Sequence, residues 1–180
     1  TTLAGRTEAA TVSADGPSGL FKAPPIPVVR VGFVGVGLQG TTHVKNLLDI
    51  DGVELRAVCD IAPEKVARAQ RLARDAGKRE PNGFTNGPRD FERLCAEEDL
   101  DLVYTATPWE WHVPVMLAAM RNGKHAATEV PAAQTVEDCW KLVEAAEKQK
   151  KHCVLMENCC YDRPEMMVLH MVRKGLFGEA

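Results

Sequence analysis

Apolar positions along this chain follow two alternating rhythms. Short runs of adjacent, largely β-branched or small apolar residues read as strands. Between them, apolar residues recur every three or four positions, as on one face of a helix. The first run holds Val28, Val29, Val31 and Val34 and reads as a strand buried on both faces. Val44, Leu47 and Leu48 then mark a helix, and residues 53–60 (VELRAVCD) a second strand. Pro63 suits the first turn of the next helix. Val66, Ala69 and Ala73 give that helix its apolar face, and Gly77 ends it. Residues 77–88 carry two turn signals, Asn82-Gly83 and Asn86-Gly87, and read as a loop.

Phe91, Leu94 and Cys95 mark a short helix, and residues 100–107 (LDLVYTAT) a strand. Val115, Ala118 and Ala119 continue as a helix that Gly123 stops, and residues 124–128 form a short strand. Thr135 and Asp138 have the spacing of a capping box, with Asp in place of the usual Glu or Gln. Val136, Cys139, Trp140 and Val143 are expected to be the buried face of the helix they open. Residues 153–157 read as a strand. Pro164 starts a last helix with apolar Val168, Leu169 and Val172, and Gly175 stops it. Strand and helix in alternation predict an α/β fold, a doubly wound, mostly parallel sheet with right-handed crossovers.

Residues 1–27 lack either rhythm. Rich in Thr, Ala, Ser, Gly and Pro, they read as a flexible arm or a remnant left by processing, with residues 28–180 forming one domain. A chain of 180 residues, 45% apolar, can bury one sizeable core. A net charge of −3 without a long basic run argues against nucleic acid as a partner. No apolar run is long enough for a membrane span, and nothing distinguishes a cytoplasmic from an exported protein. The six cysteines include no C-x-x-C, and several fall within apolar patterns. Buried free thiols are expected, rather than disulfides or a metal site.

The chemistry concentrates where strands end. Gly35-Val36-Gly37-Leu38-Gln39-Gly40 is a G-x-G-x-x-G that follows a buried strand and opens a helix, the context a dinucleotide fingerprint requires. Gly35 permits the tight turn, Gly37 lets backbone approach a pyrophosphate, and Gly40 lets helix and strand pack closely. Asp60 ends the second strand, 25 positions after Gly35, where an acid accepts hydrogen bonds from the adenosine ribose. Thr107, Trp109, Glu110, Trp111 and His112 follow the strand at 100–107. His112 can cap a helix, contact a nicotinamide or shuttle a proton, and the two tryptophans read as a wall of the cofactor cleft. Glu129 is either a solvated turn carboxylate or an acceptor for ribose or sugar hydroxyls. Asn158 and Tyr161 follow the strand at 153–157, and Tyr161 is either a base or a ring packed on the last helix.

The segments GVGLQG, AVCDI, ATPWEWHVP, GKHAATEVPAA, MENCCYDR and GLFGEA carry a resemblance. Residues 31–180 resemble the N-terminal domain of the Gfo/Idh/MocA dehydrogenase superfamily. Within it they are most similar to glycoside hydrolase family 109, the NAD-dependent α-N-acetylgalactosaminidases. The resemblance implies NAD contacts from Leu38, Gln39, Asp60, Trp109, Glu110, Trp111, His112, Glu129, Val130 and Asn158. The broader superfamily commonly has Glu-Lys-Pro where this chain has Glu129-Val130-Pro131, a departure that fits the hydrolase branch. The resemblance also implies a substrate domain that would begin near Gly178. That domain is expected to lie outside this sequence, to mediate any homo-oligomer, and to leave this chain alone inactive. The implied reaction on a sugar or glycoside is transient oxidation at C3, elimination across C1 and C2, water addition and return of the hydride, with Tyr161 or His112 as proton carriers. An NAD-dependent sugar or cyclitol oxidoreductase of the same superfamily, and a non-catalytic NAD-binding module, are the alternatives.

Overall fold

The computed structural model describes residues 22–178. The expected arm falls outside the described residues for positions 1–21, and residues 22–27 lead without regular structure into the first strand. Six strands follow: β1 (Val29–Val34), β2 (Val53–Cys59), β3 (Asn82–Phe84), β4 (Leu102–Thr105), β5 (His125–Thr128) and β6 (Cys153–Leu155). The helices are α1 (Leu38–Leu48), α2 (Pro63–Asp75), α3 (Asp90–Glu97), α4 (His112–Arg121), α5 (Val136–Gln149) and α6 (Arg163–Arg173). All strand pairs are parallel, in the order β3-β2-β1-β4-β5-β6. The order reverses direction between β1 and β4, the topological switch point of a doubly wound sheet.

Alternate residues of each strand serve opposite faces. Phe33, Val58, Tyr104 and Ala127 pack with Val44 of α1 and Val66, Ala69 and Ala73 of α2. Val34, Ala57, Val103 and Ala126 pack with Phe91 and Leu94 of α3, Val115 and Met116 of α4 and Leu142 of α5. Val115 and Ala119 are buried in α4, as its spacing predicts. Thr135 caps α5 by accepting the Asp138 N–H at 3.1 Å.

Three expectations are corrected. Residues 77–88 contain a strand as well as turns: β3 pairs with β2 through Ala57, Val58 and Cys59. Gly83, half of a turn signal in sequence, is there because a Cβ would lie 2.8 Å from Val66 Cγ1 of α2. The second signal is a true turn, with Gly87 at φ +97°.

The buried face of α5 is also rotated from the expected one. Leu142 is its buried residue, with Ala145 and Ala146 packed beside it on the core. The small alanine side chains let the helix lie close to its neighbours. Val136, Cys139, Trp140 and Val143 form a neighbouring stripe that is exposed among the described residues, Trp140 to 62%. The helix carries two apolar stripes, and spacing alone does not rank them.

All six cysteines are free, but only Cys59 and Cys95 are buried, and Cys139, Cys159 and Cys160 are exposed. The last helix has the expected span and stop, with Gly175 at φ +69°. Val168, Leu169 and Val172 of that helix remain exposed, as do Met166 and Met167.

Candidate functional site

The Gly35–Gly40 turn lies at the switch point, between the carboxyl ends of β1 and β4. Gly35 has φ +87°, and a Cβ there would meet Thr107 N at 2.8 Å. Its N–H donates to the Cys59 carbonyl at 2.7 Å, tying the turn to β2. A Cβ on Gly40 would overlap the Gly35 carbonyl oxygen, whereas one on Gly37 would meet nothing within 4 Å. The middle glycine is therefore open to a ligand, and the outer two close the turn. Gly37 is the N-cap of α1, with no side-chain cap and no acid in the first turn. The first N–H groups of the helix and its positive end are left for an anion. Leu38 and Gln39 sit exposed on that first turn.

Asp60 is nearly buried at the end of β2. Its Oδ2 accepts the Val36 N–H and its Oδ1 the Ala62 N–H, each at 3.0 Å. The carboxylate thus holds the glycine turn from one side. Lys65 Nζ stands 3.7 Å from Oδ1. Arg68 of α2 holds the turn from another side: its Nη2 donates to the Val36 carbonyl at 2.8 Å and to Thr41 Oγ1 at 2.7 Å. Asp60, Gly35, Gly37, Lys65, Thr107 and Trp111 line one hollow of about 400 Å³. Cys59 lines it too, and burial, with the Asp90 and Asp60 carboxylates, pushes its thiol up to about 12. That thiol is neutral and no nucleophile.

After β4, Trp109, Glu110 and Trp111 form a 3₁₀ turn. Trp111 packs edge-on against Phe91 at 5.9 Å, and Trp109 and Glu110 border a separate hollow beside Lys141. His112 is 1% exposed. Its Nδ1 lies 2.7 Å from the Pro131 carbonyl and its Nε2 2.9 Å from the Thr107 carbonyl. The ring joins the loop after β4 to the loop after β5, where the Val130-Pro131 peptide is cis. A neutral imidazole donates to one of these carbonyls, and donating to both takes the second proton.

Glu129, at the end of β5, is paired with His43 of α1. Tyr104 of β4 donates its hydroxyl to the same Glu129 oxygen, Oε1, at 3.3 Å. Burial, with the Glu129 carboxylate beside it, pushes the Tyr104 phenol well above its ordinary range, so it remains a donor. These three residues line a second hollow of about 260 Å³ together with Met156, Glu157 and Asn158, beyond β6. Tyr161 is 86% exposed and makes no hydrogen bond among the described residues.

The structure thus gathers part of the sequence candidates into two hollows, one lined by the glycine turn and one along the flank of α1. Asp60, Gly35, Gly37, Thr107 and Trp111 line one, and Glu129 and Asn158 the other. Leu38, Gln39, Gly40, Trp109, Glu110, Val130 and Tyr161 line neither, and His112 is a staple behind them. Sequence reasoning passed over Arg68, Lys65, His43 and Tyr104. Helical spacing offered one signal: His43 lies one turn beyond Gln39 on the helix that the fingerprint opens. A further hollow of about 850 Å³, between α5 and β6, holds none of the candidates. Among the described residues there is no helix long and apolar enough to cross a membrane, and no cluster of metal-ligating side chains.

Residues 29–157 match the model of the family GFO_IDH_MocA, described as an oxidoreductase family with an NAD-binding Rossmann fold. The chain is 46% identical over 156 residues to an alpha-N-acetylgalactosaminidase of Bacteroides fragilis, covering 87% of this chain and 36% of that protein. It is 49% identical over 151 residues to a glycosyl hydrolase family 109 protein of Saccharopolyspora erythraea, covering 84% and 33%. It therefore spans about a third of the length of these relatives. Among solved structures, the WlbA dehydrogenase from Chromobacterium violaceum in complex with NADH and UDP-GlcNAcA superposes with a TM-score of 0.75 at 27% identity, over 88% of this chain and 44% of that one. The scyllo-inositol dehydrogenase from Lactobacillus casei with bound NAD(H) and scyllo-inositol shares the fold, with a TM-score of 0.73 at 21% identity over 84% and 43%.

Proposed function

We propose that this chain, which belongs to the GFO_IDH_MocA oxidoreductase family with its NAD-binding Rossmann fold, is the NAD-holding part of an NAD-dependent glycosidase for α-N-acetylgalactosaminides. The observation that carries this reading is an order. Along β2-β1-β4-β5-β6, the carboxyl ends present Asp60, the glycine turn, Thr107, Glu129 and Asn158 in line. An extended dinucleotide needs such a line: acceptors for one ribose, backbone donors for the pyrophosphate, then acceptors for the second ribose.

The residues fit the cofactor. Gly37 leaves the open approach that a pyrophosphate requires. Asp60 accepts from the adenosine ribose, with Leu38 and Gln39 flanking the phosphates. Glu129, Val130 and Asn158 serve the nicotinamide half, and Trp111 walls the hollow beside Thr107; Trp109 and Glu110, which border a separate hollow, are left to the rim. His112 fixes the two loops between which the nicotinamide half would lie. When bound, NAD supplies reversible hydride acceptance from a sugar carbon. Tyr161, exposed beyond β6, is our candidate for taking or relaying a substrate proton. Val130 stands where the wider superfamily commonly carries lysine, which favours glycoside cleavage over net oxidation.

The test is turnover of an aryl α-N-acetylgalactosaminide by the whole protein in deuterated water. Deuterium at C2 of the released sugar supports the elimination route. Protium at C2, with full activity after NAD is stripped, contradicts it. The second reading is a sugar or cyclitol dehydrogenase, favoured by the likeness to the WlbA dehydrogenase. NADH accumulating with free sugar, without glycoside cleavage, would select it.

A further inference from the structure

Glu129 is held in an unusual way for a strand-end carboxylate. Its side chain is 12% exposed, and both of its side-chain contacts fall on one oxygen, Oε1. One partner is His43 Nε2, from the helix that the glycine turn opens. The other is the Tyr104 hydroxyl, which also lies 3.3 Å from His43 Nε2. The Phe33, Tyr104 and His43 rings pack in sequence, with centroids 4.8 Å and 5.0 Å apart, so neither donor swings freely. A carboxylate taken this far out of water requires such donors. Oε2 carries no hydrogen bond among the described residues, and the carboxylate borders the second hollow with Asn158.

We propose that His43, assisted by Tyr104, is a positioning residue that clamps Oε1 of Glu129 so that Oε2 accepts a ligand hydroxyl at the nicotinamide end. The hydroxyl belongs to a vicinal diol, the chemistry of a ribose or a sugar ring. The inference rests on the functional reading above and adds a coupling to it. His43 and the phosphate-binding turn share α1, so the helix that receives the pyrophosphate also sets the carboxylate that receives the diol. The two halves of the cofactor are then read at a fixed separation.

The test is calorimetric titration of this chain with NAD and with AMP, which lacks the second ribose. The variants are His43→Gln, Tyr104→Phe, Glu129→Gln and the double variant His43→Gln/Glu129→Gln. Tyr104→Phe keeps the ring stack and removes only the hydroxyl, so it reports even where His43→Gln does not fold. His43→Gln should raise the NAD Kd about tenfold, the size of one charge-assisted hydrogen bond, and leave the AMP Kd unchanged. Tyr104→Phe should move the NAD Kd in the same direction. The double variant should be no worse than Glu129→Gln alone, because two residues acting through one carboxylate are not additive. Equal loss of NAD and AMP affinity would make the role merely structural and overturn the proposal. So would unchanged NAD binding in both single clamp variants. A wild-type chain that binds neither ligand would overturn the functional reading itself, and the clamp with it. Weakening by Glu129→Gln alone would leave that reading standing and remove only the clamp.

Discussion

Gly40 and Gly35 meet across the first turn of α1, with no room for a side chain between them. A methyl group on Gly40 would overlap the Gly35 carbonyl oxygen and crowd Phe33 Cε1 at 3.1 Å. The contact fixes how closely α1 approaches β1, and therefore where the helix N-terminus points.

Substitution should separate the glycines by role. Gly40→Ala should lower stability on the order of 1–3 kcal/mol, as overpacking does, and weaken NAD binding with it. Gly37→Ala, in open space, should cost less than about 1 kcal/mol of stability, the scale of an N-cap change. It should still weaken NAD, because the methyl group stands where backbone would approach the pyrophosphate. Urea denaturation and NAD titration of each variant check this. A Gly37→Ala chain that binds NAD normally would show that the phosphates do not pass over this turn.

Asp60 should make the site prefer NAD to NADP by at least about tenfold, since a 2′-phosphate would bring like charge beside a carboxylate. Lys65, 3.7 Å away, partly offsets that repulsion, so Lys65→Ala should widen the preference. Asp60→Ala should weaken NAD and bring the two affinities together. Equal affinities in the unaltered chain would defeat the assignment of Asp60.

Much of this architecture is legible from rhythm and punctuation. The β-branched run before Gly35 and the spacing of Val66, Ala69 and Ala73 place β1 and α2 because burial dictates both patterns. The candidate residues stand out in the sequence at strand ends, where the backbone must turn and glycine or Asp is needed. β3 was hidden because Asn82-Gly83 has the composition of a turn, and its strand state depends on Val66 and Gln70 lying over Gly83. The His43–Glu129 pair was hidden for a different reason. The two residues are 86 positions apart, and only the parallel order of β1, β4 and β5 brings them together. The outward stripe of α5 shows the limit of periodicity, which marks apolar faces without saying which one the core takes.

The thiols should divide by burial. Cys139, Cys159 and Cys160 should react with a thiol reagent in the folded chain, and Cys59 and Cys95 only on unfolding. Cys159 should be slowed by the Asp162 carboxylate, which raises its pKa. Cys59 and Cys95 are both pushed up to about 12 from an ordinary 9.0, chiefly by burial. The folded state therefore holds these protons more tightly than the unfolded one. Their contribution to stability is complete below about pH 9 and is lost as pH rises toward 12. The urea midpoint should fall over that window, and fall less in a Cys95→Ala chain.

At the other end of the scale, Asp101 should set part of the acid limb. Arg30 donates to it from Nε and Nη2 at 2.8 and 2.7 Å, and the Arg30 backbone N–H adds a third bond at 2.8 Å. These hold the Asp101 carboxyl below its ordinary value of 3.8. A lowered folded pKa means that stability is present above about pH 4 and is lost as pH falls below it. Asp101→Asn should lower stability at pH 6 and flatten its decline toward pH 3. A decline of unchanged steepness would show that other carboxylates, such as Asp90 beside Arg93, carry it.

The central claim, that the line of strand ends from Asp60 to Asn158 is a dinucleotide site, is tested most directly by backbone amide NMR of this chain titrated with NAD. Shifts are expected in Gly35, Val36, Gly37, Leu38, Asp60, Glu129 and Asn158, with α5 and α6 unmoved. AMP should reproduce only the half at Asp60 and the glycine turn. Shifts confined to the trough between α5 and β6, or none at saturating NAD, would contradict it.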